Sequence, residues 1–281
     1  MIIDGRKIRD DILAQVKAGV ATLTFQPVFC DVLVGNDIVS VQYVRMKVKA
    51  TEEIGILFHT AEFPETISEN ELVNEIKKLN EIQNMCGIIL QLPLPKHLNT
   101  QKVRNAIRPE LDLDCLGQEA SNNFYNNNSI GYPAAQACMA ILDSLDIDLL
   151  DKKILVMGQG ELIGRPVTHL LKLRGLAIDT LNSATENNEE KIKNSDVIIS
   201  GIGHGKYITG GMIKHGAIVI DAGTSESNGG PSTIGIKVVG DVDLESVENV
   251  ASFVSPVPGG VGPVTIAMLL KNLLIVAENQ K

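Results

Sequence analysis

The sequence predicts an α/β protein of two domains, the second built on a doubly wound parallel sheet. Three observations carry this expectation. Short apolar runs alternate with amphipathic helical segments from the N-terminus onward, the pattern of βαβ units and parallel strands. A polar, asparagine-rich stretch at 121–132, SNNFYNNNSIGY, interrupts the alternation and reads as a surface loop or linker. Beyond it lie four further apolar strands, separated by helical or polar segments.

Taken in order, residues 5–23 place Ile8, Ile12 and Val16 four apart, so one helical face is apolar. CDVLVG (30–35) is an apolar run closed by glycine and reads as a buried strand. The next helix starts at Ser40, a candidate N-cap, and stops at Gly55. Residues 71–83 form another helix, and GIILQLPLP (87–95) is a strand running into prolines. In the second half, strands are expected at 152–158, 176–181, 196–201 and 217–223. The last helix, 263–279, is so apolar that it must be buried. It is expected to pack back on the first domain, because the second already has its own crossover helices. The domains so drawn are residues 1–120 with 262–281, and 121–261, with a cleft between them.

Composition narrows the function. The chain has 281 residues, 44% of them apolar and 4% aromatic, with no tryptophan, which favours aliphatic packing over a base-stacking surface. A net charge of −9 speaks against nucleic acid, whose phosphates need clustered cations. Cys30, Cys86, Cys115 and Cys138 are dispersed, without a C-x-x-C pair, and read as reduced thiols. The N-terminus lacks the cationic-then-apolar order of a signal peptide, and the apolar tail IAMLLKNLLIVAE is broken by Lys271 and Asn272. A soluble, cytoplasmic protein without a membrane partner is expected. His59, His169 and His215 show no metal-ligand spacing, and His97 and His204 read as surface residues, so no metal is expected.

Two glycine-rich segments point to ligands. KKILVMGQGELIGRPVTHLLKL gives a strand, then Gly158-x-Gly160-x-x-x-Gly164, then a helix. The first glycine permits a tight turn, the second lets backbone approach a pyrophosphate, and the third allows close helix packing. That reads as a Rossmann-like dinucleotide-binding turn, with three residues rather than the commoner two before the last glycine. The second strand ends Leu181-Asn182-Ser183-Ala184-Thr185, with neither a clear acid for NAD nor a cation for NADP. Near the C-terminus, Ser255–Thr265 packs prolines and glycines against the start of a helix. Such a rigid, backbone-lined loop suits close approach to a ligand.

Tyr43 and Lys47 are four apart on one helix and share a face, beside an apolar stripe of Val41, Val44 and Val48. A tyrosine ring there can stack on a flat substrate while the lysine acts as acid, base or electrostatic stabiliser. Gln91 ends an apolar strand, where parallel sheets bind ligands. Asp112 and Asp114 fall in a turn and suit the N–H donors of a ring.

SVQYVRMKVKA (40–50) resembles an S-x-x-Y-V-x-x-K-x-K-A helix, and LQLPLP (90–95) a Q-L-P-L-P strand end. GDVD (240–243) and SPVPGGVGPVT (255–265) resemble G-D-V and T-P-V-P-G-G-V-G-P-M-T signatures. Through these strings, in order over nearly its whole length, the chain is similar to one family. That family is the bifunctional methylene-tetrahydrofolate dehydrogenase/methenyl-tetrahydrofolate cyclohydrolases. The resemblance implies oxidation of methylene- to methenyl-tetrahydrofolate with a nicotinamide cofactor, then hydrolysis to formyl-tetrahydrofolate. It implies Lys47 as the catalytic lysine, Tyr43 stacked on folate, Gln91 tuning the lysine through a hydrogen bond, and Asp114 anchoring the pterin. An ammonium beside a cationic substrate tends to lose its proton, and the neutral amine then assists water attack. Ser40, Pro258, Gly259 and Gly260 are implied at the folate, and Gly158, Gln159, Gly160, Ile163, Gly164, Ser183 and Gly201 at the cofactor. A homodimer is implied in the same way.

Three departures lie on or near the cofactor side. The family's G-R-S-x-x-V-G is Gly158-Gln159-Gly160-Glu161-Leu162-Ile163-Gly164 here, so NADP is expected with NAD also open. P-C-T-P is replaced by Pro133-Ala134-Ala135-Gln136. D-V-D-G is lengthened to Asp112–Gly117, leaving Asp112 as the alternative to Asp114. Two rival readings remain compatible with these residues: a cyclohydrolase with a degenerate cofactor site, and a non-catalytic dinucleotide-binding module.

Overall fold

The computed structural model describes residues 1–35, 38–127, 130–182, 188–226 and 238–280, and omits the side chains of 38–43 and 45. The chain divides into two compact units, Asp11–Pro133 with Ile266–Lys281, and Met1–Asp10 with Ala134–Thr265.

The unit formed by Asp11–Pro133 and the C-terminal residues is built from helix α1 (Gly5–Val20) from Asp11 onward, strand β1 (Val28–Val34), α2 (Ile38–Ile54), β2 (Leu57–Phe63), α3 (Glu69–Asn80), β3 (Met85–Leu90), α4 (Thr100–Arg104) and α5 (Gln118–Tyr125). Its sheet is parallel, in the order β2-β1-β3, with Val32 opposite both Ala61 and Leu90. Strand β1 is central and buried at every position. The sequence reading placed no strand at Leu57–Phe63. That segment is an edge strand with mostly accessible side chains, so its polar residues mask the pattern. Helix α3 starts on a capping box, in which Ser68 and Glu71 satisfy each other's backbone N–H groups.

The stretch expected to be a loop at 121–132 is partly helical. Ser121–Tyr125 complete α5, where Ala120 and Phe124 are buried on one face. Phe124 packs edge-on against Tyr132 with ring centroids 5.0 Å apart, and the Tyr132 hydroxyl donates to Ser121 Oγ at 2.9 Å. Asparagine dominates the local composition, but the apolar residues at helical spacing set the structure.

The second unit continues with α6 (Pro133–Ser144), β4 (Ile154–Met157), α7 (Gly164–Leu173), β5 (Ile178–Leu181), α8 (Asn188–Asn194), β6 (Val197–Ser200), β7 (Ile218–Asp221), β8 (Ser225–Glu226), β9 (Val238–Val239), α9 (Leu244–Val247) and β10 (Phe253–Val254). Its main sheet has the order β10-β7-β6-β4-β5 and is parallel throughout, while β8 and β9 form a small antiparallel pair. Leu155, Ile198, Val219, Ile192 and Val247 belong to its core. The chain's first residues join this sheet: Ile3 N donates to Val254 O at 2.9 Å, and Val254 N to Met1 O at 3.0 Å.

Helix α10 (Val261–Glu278) closes the chain. From Ile266 onward it groups with the first sheet, as its apolar composition predicts. Its mean hydropathy, 1.6 over 18 residues, is high enough for a membrane span, but most of that window is buried inside the protein. Asn272 is 1% exposed, and its Nδ2 donates to Gly131 O at 2.6 Å and Leu113 O at 3.2 Å. Against α1, a Cβ on Gly19 would lie 2.5 Å from Leu274, so the two helices touch where glycine allows it.

Candidate active site

Helix α2 presents Val44, Lys47, Ala50, Thr51 and Ile54 as its buried positions, the i, i+3, i+4 stripe of a helix laid on a sheet. Lys47 is therefore carried inward with its apolar neighbours and is only 4% exposed. Its ammonium meets a charge in the middle of the central strand. Lys47 Nζ lies 2.5 Å from Oδ2 of Asp31, which is fully buried. The second oxygen, Oδ1, accepts a hydrogen bond from Gln91 Nε2 at 2.7 Å. Gln91 is held by its own backbone, whose N–H donates to Val32 O at 2.9 Å just past the end of β3. A buried ion costs several kcal/mol of lost hydration, which only close pairing and hydrogen bonding offset. Asp31, Lys47 and Gln91 supply that pairing among themselves. The hydrogen bond described for Gln91 goes to Asp31, so its link to Lys47 runs through the carboxylate.

The turn after α4 brings two more acids to the same unit, in different roles. Asp112 pairs beside Ile88 in a short parallel bridge, and its Oδ2 accepts from Gly117 N at 2.6 Å. Its carboxylate caps its own turn, and burial pushes it up to about 6. Asp114 is half-buried by exposure, yet desolvation by the surrounding protein pushes its carboxyl up to about 7. The Lys47 ammonium pulls the Asp114 value down while Asp112 and Asp31 push it up, so these charges share one field. A carboxyl titrating near neutrality can both donate and accept hydrogen bonds, which suits a ring with alternating donors and acceptors.

In the second unit the turn between β4 and α7 places its three glycines in three different settings. Gly158 sits at φ +84°, a conformation that favours glycine. A Cβ on Gly164 would lie 1.8 Å from Gly158 O, so helix and strand are in direct backbone contact. A Cβ on Gly160 would meet nothing within 4 Å, which leaves the middle of the turn open to an incoming group. These residues fit a dinucleotide pyrophosphate: an open glycine stands at the mouth of a helix whose N–H groups attract anions. Ile163 fills the space beside Gly201, where a Cβ would come within 2.9 Å of it. Gln159 Nε2 turns back onto Gly158 O at 2.9 Å, and Arg165 Nε donates to Gln159 O at 3.1 Å, bringing a guanidinium to the turn.

Two buried acids organise the neighbouring loops. Asp241 accepts from Ser200 Oγ, Ile202 N and His204 N at 2.7, 2.9 and 2.8 Å, fixing the loop that follows β6. Asp221 accepts from Gly223 N, Asp241 N and Val242 N, and burial pushes it up to about 6. Asp221 therefore caps its own turn. The Pro-Gly segment belongs to this unit as well: Gly260 N donates to Pro256 O at 2.8 Å, and Gly5 N to Gly259 O at 3.1 Å. Gly5 itself admits no side chain, because a Cβ would fall 2.0 Å from Gly260 O.

The structure thus groups Lys47, Gln91 and Asp114 in one unit, and Gly158, Gln159, Gly160, Ile163, Gly164, Gly201, Pro258, Gly259 and Gly260 in the other. The side chains of Ser40 and Tyr43, and residue Ser183 entirely, lie outside the described residues. Sequence reasoning missed Asp31 and Arg165, and met Asp241 only within the string GDVD. A signal for Asp31 existed, since an acid interrupting an otherwise apolar strand demands a partner.

Residues 3–114 match the family model of the tetrahydrofolate dehydrogenase/cyclohydrolase catalytic domain, and residues 133–281 that of its NAD(P)-binding domain. The bifunctional protein FolD of Enterococcus faecalis is 36% identical, with 100% of this chain and 99% of that protein covered. Among solved structures, the Trypanosoma brucei methylenetetrahydrofolate dehydrogenase-cyclohydrolase, complexed with NADP and an inhibitor, is 32% identical with a TM-score of 0.93. The alignment covers 100% of this chain and 98% of that one. The FolD enzyme of Campylobacter jejuni is 31% identical with a TM-score of 0.92, covering 100% and 99%.

Proposed function

Because the chain belongs to the tetrahydrofolate dehydrogenase/cyclohydrolase family and carries its two activities, we propose that both steps run on a folate site built around Lys47. The observation that carries this reading is a buried amine, 2.5 Å from a carboxylate, sharing its electrostatic field with the half-buried Asp114. Asp114 holds the pterin ring. Asp112 is spent on Gly117 N, which favours Asp114 over it for that role. Tyr43 stacks on the folate, with Ser40 as a further contact.

A bound nicotinamide dinucleotide supplies the hydride acceptor, leaving a methenyl cation on the folate. Gly158, Gln159, Gly160, Ile163, Gly164, Ser183 and Gly201 hold that cofactor. Gly160 lets the backbone approach the pyrophosphate, and Gly158 and Gly164 fix the turn. In hydrolysis, Lys47 Nζ takes a proton as water adds to the methenyl carbon. It returns that proton to the ring nitrogen as the C–N bond opens, and the hydroxyl proton departs as the formyl group forms. NADP, named with the Trypanosoma brucei structure, is the cofactor we assign. The Arg165 guanidinium at the turn supports it, as a cation suited to a 2′-phosphate. A cytoplasmic homodimer completes the reading.

Lys47→Met tests it. The variant should remain folded by circular dichroism and lose hydrolysis of methenyl-tetrahydrofolate by about 100-fold or more. Retained hydrolysis would exclude the lysine. Initial rates of methylene-tetrahydrofolate oxidation with NADP and NAD in parallel test the cofactor, the faster rate being expected with NADP.

A further inference from the structure

The acid paired with Lys47 comes from a strand to which the reading above gives no role, and its placement is unusual. Strand β1 is the central strand of its sheet and is buried at all seven positions. Its middle residue, Asp31, is fully buried and flanked in the sheet by Thr60 and Ile89. Both carboxylate oxygens are directed to site residues: Oδ2 to Lys47 Nζ at 2.5 Å and Oδ1 to Gln91 Nε2 at 2.7 Å. No hydrogen bond of ordinary geometry reaches Oδ2 among the described residues, so its described interaction is the ion pair with the lysine. An acid needed only to stabilise the sheet would cost more than an aliphatic residue of the same size.

We propose that Asp31 is a positioning residue of the reaction: its carboxylate pins Lys47 Nζ and the Gln91 carboxamide to one point on the sheet and serves as the lysine's counter-charge. The idea rests on Lys47 being the proton-carrying group. Before substrate arrives, the carboxylate favours the ammonium. When a methenyl cation is formed nearby, the cation opposes the ammonium, whose proton passes to solvent, and the neutral amine is then ready to take a proton from the attacking water. Asp31 thus fixes where the amine stands when it exchanges its proton, and Gln91 holds Asp31 in the rotamer that does so. The other ionisable groups in this field are Asp114, Asp112 and Arg104, which interact with one another, and the Cys30 thiol, which burial first and Asp31 second push up to about 12.

The test must read the lysine itself, because Asp114 responds to Asp31 in the same direction. In the full-length protein, the pH dependence of acetylation at Lys47 by acetic anhydride, followed by peptide mass spectrometry, reports the free amine. Asp31→Asn should move its midpoint to lower pH, the direction expected when an opposite charge at this distance is removed. The acidic limb of the cyclohydrolase rate profile should move the same way. Asp31→Thr, a β-branched neutral residue suited to a strand, should repeat the shift, and Asp31→Glu should largely restore the original midpoint. An unmoved midpoint in a folded Asp31→Asn or Asp31→Thr protein overturns the proposal. So does failure of both neutral variants to fold while Lys47→Met folds, which would make Asp31 a structural counter-ion only. Should Lys47→Met keep its hydrolysis, the underlying assignment of the lysine fails instead, and the acetylation shift still reports whether the pair is coupled.

Discussion

At the scale of single residues, the first sheet holds charges where a chain normally keeps none, and each is tied to a neighbour. Asp114 makes the consequence measurable. Its folded value, about 7, lies above the usual carboxylate range because burial disfavours the ion. The folded chain therefore holds this proton longer than the unfolded chain does. The stability this contributes is fully present below about pH 4, where the unfolded carboxyl is also protonated, and is lost as pH rises through about 7. Asp114→Asn removes the titration. Relative to the parent, the variant should gain about 1–3 kcal/mol at pH 8 and little at pH 4 in urea unfolding, while folate turnover falls. A stability difference that does not change with pH would show that the acid is effectively solvated. The thiols tell a similar story. Burial pushes Cys30 and Cys138 to about 12 and Cys86 to about 11, and raises Cys115 as well. All four should be inert to a disulfide reagent at pH 8 until denaturant is added.

At the scale of elements, the β4–turn–α7 segment separates folding from binding residue by residue. A side chain at Gly164 would drive into Gly158 O, so Gly164→Ala should destabilise the protein by about 1–3 kcal/mol and weaken cofactor binding together. A side chain at Gly160 would enter open space, so Gly160→Ala should leave the melting temperature unchanged. If backbone approach to the pyrophosphate occurs there, the same variant should weaken NADP binding by about tenfold or more, worth about 1.4 kcal/mol. Calorimetric titration of the two variants reads both effects, and equal affinity for parent and Gly160→Ala would move the phosphate contact elsewhere. Asp241 acts on the same scale, since one carboxylate gathers a serine hydroxyl and two backbone N–H groups from the segment 200–204.

At the scale of the whole molecule, the chain's two ends are structural members of units formed mostly by its middle. The first residues extend the sheet of the second unit, and the C-terminal helix fills the core of the first. Asn272 is the test of that helix. Replacing it by alanine leaves Leu113 O and Gly131 O without these donors in a buried place. Asn272→Ala should lower stability by about 2–4 kcal/mol in denaturant titration. Because Leu113 precedes Asp114, folate binding should weaken with it. A chain ending at residue 265 lacks buried Ile266, Ala267, Met268, Leu269, Leu270 and Leu273, and should lose the cyclohydrolase reaction by failing to fold that unit.

What could be read along the chain was whatever local chemistry repeats. Continuous apolar runs gave the buried strands β1, β3, β4, β6 and β7, and fourfold apolar spacing with start and stop signals gave the long helices. Glycine spacing gave the turn at 158–164, and the signature strings gave the family. Local pattern failed at β2, where an edge strand keeps one face wet, and at α5, where asparagines hid an apolar face. It was blind to Asp31, which in sequence is a flaw in an apolar run, 16 positions from Lys47 and 60 from Gln91. Only the folded sheet turns that flaw into a counter-charge. A buried ion is tolerated only where its partners converge, and convergence over such separations is a property of the packed chain rather than of any window along it.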